Sequence, residues 1–81
     1  MIRAVLVGWT TENWRLYRQP QWMAEVRRNP EVTSLPRHHF DIGDDDFDFV
    51  LDAWTRKGAG TSLEAARTLL TRFGAVEIAG P

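Results

Sequence analysis

The chain contains no cysteine. Disulfide staples, thiolate nucleophiles, CxxC redox chemistry and cysteine-based zinc sites are therefore excluded together. Small secreted domains usually lean on disulfides, so the expectation is a cytoplasmic protein. Long apolar runs are missing as well. The first one, Met1–Trp9, includes Arg3 and gives way to Thr10-Thr11-Glu12-Asn13. It is too short for the apolar region of a signal peptide and far too short to span a bilayer, so no membrane role is expected. The sequence has no internal repeat, low-complexity tract or linker. Lysine is nearly absent, since Lys57 is the only one among ten basic residues. Arginine suits bidentate contacts, although a GC-rich coding bias explains the preference as simply.

What is present amounts to one domain, residues 1–81. A chain of this size buries only about 60–65% of its unfolded surface. Its 43% hydrophobic content fills one compact core and leaves no room for a deep, walled active site. The net charge of −1 hides an asymmetry. Residues 1–40 carry six Arg against Glu12, Glu25 and Glu31, a net +3. Residues 41–81 carry six Asp with Glu64 and Glu77 against Arg56, Lys57, Arg67 and Arg72, a net −4. Such a split is either neutralised within the fold or presented to partners.

Ile2–Trp9 is nearly continuous in β-favouring apolar residues and reads as a strand buried on both faces, hence central. Residues 10–13 then predict a four-residue turn and a hairpin setting Trp9 opposite Trp14. The competing helix, capped by Thr10 or Thr11, is opposed by Pro20. Pro20–Arg28 predicts a short helix stopped by Asn29-Pro30. Arg37–Ile42 predicts a strand with His38, Phe40 and Ile42 on one side. From Asp44 to Lys57 the spacing of Phe47, Val50, Leu51 and Trp54 predicts an amphipathic helix closed by Gly58 and Gly60. Three aspartates at its start and Arg56-Lys57 at its end suit the macrodipole. Thr61-Ser62-Leu63-Glu64 has the form of a capping box, and Leu63, Ala66, Leu70 and Phe73 form the stripe of a further helix. Ala75–Ala79 predicts a last strand, Val76 and Ile78 inward and Glu77 outward. The expected fold is α+β: a small sheet of two to four strands, the N- and C-terminal strands included, with two to three helices packed on one face.

Six aspartates lie within twelve residues: Asp41, Asp44, Asp45, Asp46, Asp48 and Asp52. As a calcium loop starting at Asp41 the stretch fails at three diagnostic positions, where Gly43, Asp46 and Asp52 stand. Helix capping accounts for Asp44, Asp45 and Asp46. It does not account for Asp48 and Asp52, which repel across one turn. A row of exposed carboxylates there would imitate a nucleic-acid backbone. His38 and His39 are adjacent on a strand and point to opposite faces, so they cannot chelate one metal together. No serine stands in a nucleophile context, and Gly58-Ala59-Gly60-Thr61-Ser62 lacks the Gly-Lys-Ser/Thr element of a phosphate loop. Trp14, Arg15, Tyr17, Arg18 and Trp22 bring together residue types that dominate binding hot spots, or else fill a small core.

These residues predict a non-catalytic binding or inhibitor protein that covers a surface of a larger protein or nucleoprotein complex. Its expected contact residues are Asp44, Asp45, Asp48, Asp52, Trp14, Arg15, Tyr17, Arg18 and Trp22, with no cofactor and no metal. Small phage or mobile-element inhibitors of host nucleic-acid machinery, anti-CRISPR proteins included, have this general profile. One alternative is a direct nucleic-acid binder using the Arg/Trp-rich first half, which the negative net charge opposes. A second is a metal-dependent enzyme using His38, His39 and nearby aspartates. Self-association, the positive half of one copy against the negative half of another, is a further expectation, weakening as salt rises.

Overall fold

The N-terminal apolar run forms the middle of everything else. In the computed structural model, which describes residues 1–56 and 62–78, strand β1 covers Ile2–Thr10. Ala4, Val5, Leu6 and Val7 are all fully buried, as a strand covered on both faces requires. β1 pairs antiparallel with β2 (Asn13–Arg18) on one side and with β3 (Arg37–Ile42) on the other. A short β4 (Val76–Ile78) extends the sheet beyond β3, giving the order β2-β1-β3-β4. Three helices complete the α+β fold: α1 (Gln19–Arg28), α2 (Asp44–Arg56) and α3 (Leu63–Arg72). A tight 3₁₀ turn, Pro30–Ser34, follows α1.

Side-chain alternation divides the sheet into two faces, and each has its own core. Ala4, Leu6, Trp14, Leu16, Phe40 and Ile42 pack against Phe47, Val50 and Trp54 of α2 and Ala66, Leu69 and Leu70 of α3. On the opposite face Val5 and Val7 meet Trp22 of α1 and Val32 of the 3₁₀ turn, with Tyr17, Val26 and Leu35 around them. The expected one-sided packing thus holds for α2 and α3, while α1 covers the other face. Its amphipathic stripe is as well served by one side of a central strand as by the other, so its sequence does not choose between them.

The hairpin forms, but in another register. Thr10 pairs with Asn13 across Thr11-Glu12, and Trp14 lies opposite Gly8 rather than Trp9. A register shift between Gly8 and Thr10 sets Gly8 opposite Trp14, and Trp9, continuing the alternation of Val5 and Val7, faces the α1 side, where its Nε1 donates to the Tyr17 hydroxyl at 2.9 Å. β4 is also turned over relative to expectation. Glu77 shares a face with Phe40 and is held there by Arg67 Nε at 3.2 Å, while Val76 is exposed on the α1 side. His38 Nδ1 lies 3.2 Å from Glu77 Oε2, so a guanidinium, a carboxylate and an imidazole tie α3 to β3 and β4.

Helix ends follow local chemistry. Gln21 Oε1 reaches back to accept from the Arg18 N–H at 3.3 Å, and Pro20 sits in the first turn of α1. The α3 cap is Ser62, whose Oγ accepts from the Ala65 N–H at 3.2 Å, one residue after the expected Thr61. Gly74 closes α3 at φ 81°, in the left-handed region that favours glycine. The expected roles of Lys57, Gly58, Gly60 and Thr61 between α2 and α3, and of Ala79 in β4, lie outside the described residues. Among the described residues no helix is long and apolar enough to cross a membrane.

Candidate functional site

Helix α2 buries Phe47, Val50 and Trp54 and turns the opposite side to water. Asp45, Asp48 and Asp52 follow one another there at i, i+3 and i+7, and all three are exposed, as is Asp44 at the start. Asp44 to Asp52 spans about 12 Å of helix at 1.5 Å per residue. The four exposed aspartates in that span give one carboxylate per ~3 Å, between the ~1.7 Å of duplex DNA and the ~3.4 Å of one of its strands. Three of them have partners. The Met1 amino group lies 3.9 Å from Asp44 Oδ1. Arg18 lies over the Phe47 ring at 4.6 Å and donates through Nη2 to Asp48 Oδ1 at 2.9 Å, and Arg56 pairs with Asp52 one turn away. Exposed pairs of this kind contribute about 0–1 kcal/mol and hold their charges only loosely.

Apolar side chains border the acidic row on both sides. Phe49 is 60% exposed and stacks on Phe73 with ring centroids 6.4 Å apart. Leu51, expected in the buried stripe, is 40% exposed. It sits one position beyond Val50, around the curve of the helix, where neither the sheet nor α3 reaches it. The sequence pattern missed both residues as surface features, because any apolar residue near an amphipathic stripe is counted toward the core.

The tryptophans and their neighbours do not form one surface. Trp14 is 7% exposed in the α2/α3-side core, and Trp22 is 4% exposed in the α1-side core. Both indoles are core fillers, on opposite sides of the sheet. Arg18 belongs with α2, as above. Arg15 is exposed on the α1 side with its guanidinium 5.3 Å from the Trp9 ring, and Tyr17 is half-buried beside Trp22 at 5.4 Å. Of the nine expected contact residues the structure gathers Arg18, Asp44, Asp45, Asp48 and Asp52 at α2. Arg15 and Tyr17 lie across the sheet from them.

No family model, curated protein or solved structure matches this chain. Its chemistry has to be read from the arrangement alone. His38 pairs with Leu6 and His39 with Val5, so the two rings face opposite sides of the sheet. No group of three or more His, Asp or Glu side chains among the described residues could hold a metal ion.

His39 stands apart from the other titratable groups. Its Nδ1 is buried with no hydrogen-bond partner. Burial, and then the charges of Arg3, Arg37 and His38, hold its pKa below the usual 6.5. The ring is therefore neutral in the fold at pH 7. Below pH 6.5 the unfolded chain takes up this proton first, so stability falls with falling pH until the folded-state pKa is passed. The melting temperature is expected to drop between about pH 7.5 and pH 5.5, and His39→Gln to flatten that slope. A slope that survives the substitution assigns the effect elsewhere.

Proposed function

We propose that the chain is a non-catalytic docking protein whose working surface is the outer face of α2, placed against a basic groove on a larger protein or nucleoprotein complex in the cytoplasm. The observation that carries this reading is the exposed carboxylate row Asp45, Asp48 and Asp52 beside the exposed, stacked Phe49. Helix capping uses aspartates in the first turn only. Asp48 and Asp52, a turn apart, repel, and the exposed pairs with Arg18 and Arg56 offset this weakly, so a partner's cations would complete the neutralisation. Phe49 supplies what charge alone lacks, an apolar anchor of the kind enriched at interface centres.

The charge spacing resembles that of a nucleic-acid backbone, so the partner surface is one that otherwise holds nucleic acid. A chain of this size that occupies such a groove acts as an inhibitor, as phage and mobile-element proteins of the anti-CRISPR kind do. Lysate capture is expected to retain nucleic-acid-binding proteins on the immobilised chain, and added duplex DNA to displace them. Asp45→Asn with Asp48→Asn and Asp52→Asn is expected to abolish retention while preserving the melting transition. Capture that DNA leaves untouched, or that the triple variant keeps, overturns the reading.

A further inference from the structure

The α1 side of the sheet is covered only in part. α1 packs over β1 and β2, and beyond it the residues of β3 that face the same way are left without a roof. Between α1 and β3 lies a half-open groove of ≈ 240 Å³, lined by Gln19, Trp22, Met23 and Val26 of the helix, Thr33 of the 3₁₀ turn, and Arg37 and His39 of β3. The four helix residues stand at i, i+3, i+4 and i+7 and so present one stripe. Trp22 turns its burial toward Val5 and Val7, but Met23 remains 49% exposed on the groove side.

Three features around this groove lack a complement. Met23 offers an apolar wall that is half open to solvent. Arg37 donates through Nη1 to the Thr33 carbonyl at 2.8 Å and sits 6.0 Å from the Trp22 ring. Among the described residues no carboxylate pairs with it, and a guanidinium carries five N–H donors in a planar fork. His39 lines the floor with its Nδ1 shut away from water. The edge of the ring left for a ligand is the Nε2 side, and a neutral ring without a partner at Nδ1 keeps its proton on Nε2, the nitrogen that water or a ligand can satisfy.

From this we infer that the groove is a binding site for a small apolar carboxylate, its hydrocarbon part against Met23, Val26 and the edge of Trp22 and its anionic end between Arg37 and His39. The chemistry is set by charge. Arg37, a cation without an acid, and His39 stand two residues apart on one face of β3 and both line the trough, and planar bidentate recognition of a carboxylate is what a guanidinium does best. The size is set by volume: the groove holds the equivalent of roughly eight waters, which limits the ligand to about ten non-hydrogen atoms. The site is independent of the α2 face, on the other side of the sheet, and stands or falls separately from the docking function proposed above.

Phenylacetate matches these limits and serves as the probe. Titrated into the ¹⁵N-labelled full chain, it is expected to shift the amides of Met23, Arg37 and His39 in a saturable way, with a Kd on the order of a millimolar for so small and open a site. Phenylacetamide, of the same shape without the charge, is expected to bind at least about tenfold more weakly, consistent with a charge-assisted contact. Met23→Glu places a carboxylate on an exposed wall, so the fold persists while phenylacetate binding falls at least about tenfold by like-charge repulsion. Arg37→Gln is expected to erase the preference for the acid over the amide. Shifts that never saturate, equal binding of acid and amide, or a Met23→Glu protein that binds as before would each overturn the assignment. Asp45→Asn with Asp48→Asn and Asp52→Asn, which tests the α2 face, is expected to leave this titration unchanged.

Discussion

Trp22→Ala is expected to cost about 3–5 kcal/mol of folding stability, the range for truncating a large buried aromatic. Trp22 is 4% exposed and is the largest member of the α1-side core, where it joins Val5, Val7 and Val32. It has no substitute there. Val26 and Tyr17 are only partly buried, and the rest of the α1 stripe opens onto the groove. Removing the indole leaves α1 and the 3₁₀ turn resting on a cavity, and strands the Arg37 guanidinium that lies against the ring. An 81-residue domain has roughly 4–12 kcal/mol in total at about 0.05–0.15 kcal/mol per residue. The variant is therefore expected to be partly unfolded at 37 °C, or to have lost half its stability, when followed by urea denaturation. Arg15→Ala on the neighbouring exposed surface is expected to change stability by no more than about 0.5 kcal/mol. If Trp22→Ala stayed within 1 kcal/mol of the parent, the enclosure of this indole would not be what holds α1 on the sheet.

That contrast shows where the sequence is informative and where it is silent. The central position of β1 is written in its composition, because only a strand covered on both faces can be apolar at consecutive positions such as Ala4, Val5, Leu6 and Val7. Helices α2 and α3 are equally legible from periodicity and end chemistry, and the carboxylates of α2 could be placed on its wet side without coordinates. Periodicity does not say which sheet face a helix covers, and so α1 was free to take the second face. It took Trp22 with it, away from Trp14. The proximity of Trp14, Arg15, Tyr17, Arg18 and Trp22 along the chain suggested a patch, but alternation along β2 divides them. Trp14, Leu16 and Arg18 go to the α2/α3 side, and Arg15 and Tyr17 to the other. The same blindness applies to β4. Its pattern points the apolar residues inward, yet Glu77 has its partners, Arg67 and His38, on the core side, and α1 lies across the sheet from Val76, which is exposed.

These corrections remove the indoles from the functional reading and confine it to one surface. With both indoles enclosed, the α2 face, with Arg18 of β2 beside it, holds five of the nine expected contact residues, and its carboxylates remain exposed even where Arg18 and Arg56 pair with them. The groove beside His39 was out of reach of sequence reasoning for a different reason. It exists because α1 is displaced toward β2, a fact of packing that no local pattern encodes.

The hairpin register carries the second large expectation. An ideal Cβ built on Gly8 would stand 2.7 Å from Trp14 Cζ2 and under 3.0 Å from two further atoms of the indole. The ring cannot yield, since Trp14 is packed into the α2/α3-side core and is buried to 7% exposure. Gly8 is thus present to make room for an aromatic laid across it from the facing strand, and the adjacent bulge at Trp9 brings that pair into register. Gly8→Ala is expected to cost about 1–3 kcal/mol by overpacking, and Gly8→Val more. Trp14→Ala alone is expected to cost about 3–5 kcal/mol. In the double variant Gly8→Ala with Trp14→Ala, the new methyl group fills part of the space the indole vacates. Its cost is expected to fall short of the sum of the two single costs by about 0.5–3 kcal/mol, the range of coupling for residues in direct contact. Chemical denaturation of the four proteins closes the cycle. Additive costs would mean that the glycine is required by the backbone of the bulge rather than by the ring above it, and the register seen here would lose its explanation.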